Sequence, residues 1–97
     1  MEVTDRRTIS RALEQVCSLL MQLDDASGTV AERVRELQMI HAATVALITR
    51  TNAVTARVGL APTAPPALDC EASHPTIRAR LREFLLRRRE EFDALVA

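Results

Sequence analysis

From Thr29 to Gly59 the chain reads TVAERVRELQMIHAATVALITRTNAVTARVG, with no proline and no glycine before the last position. Folded as one α-helix, those roughly thirty residues span about 45 Å at 1.5 Å per residue. No other uninterrupted stretch is as long, so the remaining elements must be arranged along it. Val30, Val34, Leu37, Ile40, Leu47, Ile48, Val54 and Val58 give it a broad apolar face, wide enough for more than one partner helix. Thr29 and Glu32 have the spacing of a capping box, in which each side chain satisfies a backbone N–H at the helix start. Gly59 is suited to the left-handed conformation that closes a helix.

Two shorter helices flank it. Over about residues 5–26, Ile9, Leu13, Val16, Leu20 and Leu23 recur at spacings of four and three. Ala12 and Leu19 sit at the margins of that stripe, and Thr4 or Asp5 is placed to cap its start. Asp24, Asp25, Ser27 and Gly28 break the pattern, and so short a connection to the long helix (about 29–58) requires an antiparallel hairpin. Pro62, Pro65 and Pro66 make residues 60–73 an extended linker. At about 3.1 Å per residue it reaches roughly 40 Å, enough for the next helix to start at either end of the long one. That third helix, about 76–96, carries Ile77, Leu81, Phe84, Leu85, Phe92 and Leu95 on one stripe, with Ser73 or Thr76 as its cap. The expected fold is all-α: a helical hairpin completed by a third helix, as a three-helix bundle or as a homodimer that shares helices.

At 97 residues the chain suits one helical domain, 1–97, of a size at which oligomerisation often adds stability. Phe84 and Phe92 are its only aromatics, so the core must be aliphatic. The 13 basic residues, all arginine, balance 13 acidic ones, which removes the global field that draws proteins to nucleic acid or to anionic membranes. Two cysteines, Cys17 and Cys70, are too few for a disulfide framework, which favours a reducing compartment. The start, MEVTDRR, lacks the apolar segment of a signal peptide, and no apolar run is long enough to span a bilayer. A cytoplasmic, non-membrane protein is expected.

Arg88 interrupts the third stripe, flanked by Leu81, Phe84, Leu85 and Phe92. An arginine there either lies over the seam with its head in water or anchors an anion or a partner. His41 falls near the middle of the long helix's apolar face, as a packed imidazole or a polar switch, and Thr44, Thr51 and Thr55 follow along that face. Cys70 and His74 are four apart, with Asp69 and Glu71 beside them. Structural zinc wants four ligands, so this one pair is not a site, and no metal or cofactor is expected. Arg78, Arg82 and Arg89 share one side of the third helix, Arg80 and Arg87 the other, and Glu83, Glu90, Glu91 and Asp93 lie between. That distribution fits a solvated face with intrahelical ion pairs better than a phosphate-binding stripe.

A first helix of about twenty residues covers only two-thirds of the long one, so the segment from about Thr49 to Val58 is expected to lack a cover within the hairpin. An uncovered helical groove is where partners dock, and Met21 and Met39, which point away from their stripes, suit adaptable binding. The expected function is therefore a non-enzymatic protein-binding module: an adaptor, chaperone, inhibitor or regulator. Arg82, Arg88 and Arg89 are its charged anchors, and Thr51, Val54 and Val58 line its groove. A homodimer would cover the same segment. The alternative is a nucleic-acid-binding regulator using the Arg-rich third helix, and an enzyme would need a convergent acid–base pair that the sequence does not offer. In general shape, small amphipathic hairpins of this kind resemble secretion or export chaperones and small phage-type or bacterial inhibitors, a resemblance that implies a protein partner.

Overall fold

The computed structural model describes residues 2–25, 27–61, 63–68 and 73–97. They form three helices, α1 (Val3–Asp24), α2 (Val30–Arg57) and α3 (His74–Val96), with no strand among the described residues. The fold is all-α, and α1 packs against both other helices as a small helical bundle. No helix is long and apolar enough to cross a membrane among those residues.

Local chemistry sets most of the boundaries. Thr29 Oγ1 accepts the Glu32 N–H at 3.2 Å, so the threonine half of the capping box is made. Gly28, just before it, has φ +92°, and a Cβ added there would stand 2.6 Å from Glu32 Oε2. At the other end of α2, Gly59 takes φ +84° while the Leu60 N–H reaches the Thr55 carbonyl and the Gly59 N–H the Ala56 carbonyl. That pair of bonds is a Schellman closure, and it folds Leu60 back against the core. Ser73 Oγ accepts the Thr76 N–H, with Pro75 at the opening of α3. α1 departs from expectation: it begins at Val3 with Glu2 at the N-cap position and no side-chain cap, so Thr4 and Asp5 both fall inside the first turn, where the Asp5 carboxylate pairs with Arg57.

Four polar contacts give the topology. Asp5 meets Arg57 and Gln15 meets Arg50, so α1 runs antiparallel to α2. Arg6 donates to the Val96 carbonyl at 2.7 Å and Arg82 pairs with Asp24 at 3.1 Å, so α1 is antiparallel to α3 as well. It follows that α2 and α3 are parallel to each other. α3 rests chiefly on α1 and touches α2 little. Serving two partners, α1 needs a wide apolar face, and Ala12 and Leu19, marginal by periodicity, are buried together with Ile9, Val16, Leu20 and Leu23.

Because α2 and α3 point the same way, the linker must retrace a molecule 44 Å long. It does so as a strap: Leu60 lies against the core, Thr63 accepts from Arg88 of α3, and the Pro66 carbonyl accepts from His41 of α2. This fixes the docking direction of α3, which starts beside the start of α2.

The expected bare segment of α2 is not bare. Thr51, Val54 and Thr55 are buried, with the first half of α1 alongside. The threonines sit there at little cost because Thr44 and Thr51 donate to the Ile40 and Leu47 carbonyls one turn back, each at 2.8 Å. The excess length of α2 lies at its other end, where Val30 is 67% exposed and Val34 is exposed too. Leu23, in the last turn of α1, sits beside Leu37 and Ile40 and not beside the first turn of α2. On either side of the connection Asp25 (ψ 113°) and Thr29 (ψ 167°) are extended.

Candidate functional site

Since α1 stops short, the first two turns of α2 and the first turns of α3 stand beyond it as two walls with the end of α1 as floor. Between them is a cleft of about 540 Å³, lined by Asp24, Val30, Arg33, His74, Arg78 and Arg82, with Pro75 and Ala79 completing the apolar side. Each wall is placed by features already described. The Thr29 cap and Gly28 start α2 where Arg33 faces the cleft. The strap delivers the start of α3 to the same level, where His74 Nε2 donates to the Arg33 carbonyl at 3.4 Å.

The cleft is electrostatically positive. Three guanidinium groups face it, and the parallel α2 and α3 bring two helix N-termini, each with its partial positive charge, to this end. Arg82 is paired with Asp24 through Nε, but both side chains are more than half exposed, so water and other anions compete for that bond. Among the described residues no carboxylate lies within ion-pairing distance of Arg33 or Arg78. The field of Arg78 nevertheless reaches Asp25: hydrogen bonds from Ser27 hold that carboxyl below its ordinary range, and Arg78 adds to the effect. Forked donors beside an exposed valine suit an anionic group carried on a partly apolar body.

The residues singled out from sequence are scattered by the fold. Arg82 lies in the cleft; Arg89 is exposed on the same side of α3 two turns further on, outside it. Arg88 is only 3% exposed, held by Glu91 at 2.7 Å and by Thr63, with its guanidinium 5.8 Å from the centre of the Phe92 ring. It therefore neither reaches solvent over the seam nor stands on an open face. Thr51 and Val54 are inside the bundle and Val58 is half-buried, so they line no open groove. The His41 Nε2–H donates to the Pro66 carbonyl at 2.7 Å. A carbonyl only accepts, so the imidazole is the donor and is used in holding the strap to α2.

Arg33 and Val30 were not singled out as site residues, and no local signal marks them. They matter only because α1 ends below them, which is a property of the register. Among the described residues no group of three or more His, Cys, Asp or Glu side chains is close enough to hold a metal ion, while Cys70, Asp69 and Glu71 lie outside those residues. Cys17 is exposed and free. Comparison with protein-family models, with curated proteins and with solved structures gives no match.

Proposed function

We propose that this chain is a small non-enzymatic protein-binding module that takes an acidic segment of a protein partner into the cleft between the starts of α2 and α3. The observation that carries the reading is the meeting of Arg33, Arg78 and Arg82 in one cleft of about 540 Å³ beside the exposed Val30. A partner carboxylate can exchange with Asp24 on Arg82 at little cost, since the existing pair is solvent-exposed, while apolar side chains of the same segment cover Val30 and Ala79. A protein segment fits better than a nucleic acid backbone. The exposed Val30 and Ala79 call for apolar partners that a phosphate chain lacks, and the molecule as a whole is neutral. The earlier ground for a second copy of the chain, an uncovered end of α2, is gone, because α1 covers it.

The test is direct binding. A labelled ten-residue peptide alternating glutamate with leucine is titrated against the wild-type chain and against Arg78→Glu, alongside the lysine counterpart and a DNA duplex. The acidic peptide should bind in a salt-sensitive way, and Arg78→Glu should weaken it by about tenfold or more without changing the helical signal. Equal affinity in the variant would remove the cleft from the binding site. Preference for the duplex would move the reading to a nucleic-acid regulator.

A further inference from the structure

Two arginines of this chain can be compared edge for edge. Arg57 uses its Nε and Nη2 on the two carboxylate oxygens of Asp5, at 3.1 and 2.7 Å, so the side-on edge of the guanidinium is filled by one carboxylate. Arg88 is far more enclosed and its edge is only half used. Nη1 donates to Glu91 and Nη2 to the Thr63 hydroxyl, while the buried Nε has no partner among the described residues. A guanidinium donor left unpaired at such depth is costly, and it calls for a partner. Arg88 also lines a cavity of about 270 Å³ between the strap and α3, together with Thr63, Ala64, Phe84, Arg87 and Glu91.

We infer that this cavity is a binding site for a carboxylate, whose two oxygens take the Nε–Nη2 edge of Arg88 as Asp5 takes that of Arg57, once the Thr63 hydroxyl moves aside and opens the enclosed Nε to the cavity. The local charge agrees: Arg87 and Arg88 against Glu91 leave one positive charge, which a monoanion balances. Phe84 forms an apolar wall, so the ligand carries a short apolar body behind its carboxylate. Small organic acids have that form, and so does the C-terminal residue of a protein. The site is separate from the cleft at the starts of α2 and α3, sharing no residue with it.

The experiment follows the arginine Nε–H signals of the full chain by ¹H–¹⁵N NMR while butyrate, the tripeptide Ala-Ala-Val and its C-terminal amide are titrated in turn, at constant ionic strength. Arg88→Lys identifies the Arg88 signal by its loss. Ala64→Leu, at an exposed position of the strap, fills the cavity and leaves Arg88 and the helices in place. The expected result is a saturable shift of the Arg88 Nε–H with a free carboxylate, absent with the amide and abolished by Ala64→Leu. Tighter binding of the free tripeptide by about tenfold assigns the ligand to a protein C-terminus, and equal or tighter binding of butyrate assigns it to a small acid. No shift with either carboxylate, an equal response to the amide, or an unchanged response in folded Ala64→Leu would overturn the inference.

Discussion

Where α1 begins, Asp5 grips Arg57 of α2, Arg6 donates to the Val96 carbonyl of α3, and Phe92 is wholly enclosed. Where α1 stops, the walls stand apart, Val30 and Val34 face water, and arginines line the gap. The same three helices make both ends, so helix composition does not explain the difference. Register does. An α1 of 22 residues against an α2 of 28 must leave some of α2 unaccompanied, and the Asp5–Arg57 and Gln15–Arg50 pairings place the surplus at the start of α2. One end is sealed by polar clasps over an apolar core, and the opposite end is left open.

The contrast breaks most easily at its sealed end. Phe92→Ala should remove about 3–5 kcal/mol, most of what a chain of this size has, and urea unfolding should show it as a lost or much lowered midpoint. A loss below about 1 kcal/mol would mean that this end is not closed by packing. A smaller effect is expected from Asp5→Asn. Arg57 holds the Asp5 carboxyl below its ordinary value of 3.8, so the stabilisation is fully present above that value and is lost as pH falls through the lower folded value. The variant should melt a few degrees below wild type near neutral pH, on the order expected for a partly exposed pair, and the two curves should converge in acid. A difference that persists unchanged at pH 2 would show that the pair is not the cause. The smallest effect belongs to the open end: Val34→Ser should alter stability by no more than about 0.5 kcal/mol in urea unfolding, and a larger loss would mean that α2 is covered there after all.

The helices, the linker and most caps were legible because they depend on near neighbours. Periodicity reports which face of a helix is apolar, and Thr29, Gly59 and Ser73 act within one turn. The register was not legible. A short connection dictates direction, but the level at which α1 lies along α2 goes with contacts such as Asp5–Arg57, between residues 52 apart. Counting the cover of the first helix from the hairpin connection put the free length of α2 at about Thr49 to Val58, the wrong end. Arg88 was visible as an oddity, yet its burial depends on Thr63, 25 residues away on a strap whose path follows from α3 docking parallel to α2. Of the candidate site, Arg82 alone was identified in advance as a binding residue, and its neighbours Arg33 and Val30 acquire meaning only from where α1 ends.

The parallel arrangement of α2 and α3 also orders events in time. During synthesis α1 and α2 are complete before α3 exists, yet α1 is the helix on which α3 chiefly rests, and the bond from Arg6 to Val96 joins residues 90 apart. Until then Val16, Leu20 and their neighbours have one side without its final cover. Helical proteins usually fold fast because their contacts are local; here the contacts between α1 and α3, such as Arg6 with Val96, join residues up to 90 apart, and their formation must wait for α3 to emerge. A nascent chain stalled before residue 74 would therefore be a hairpin with an open apolar flank, and that is the interval in which this protein is most exposed to aggregation.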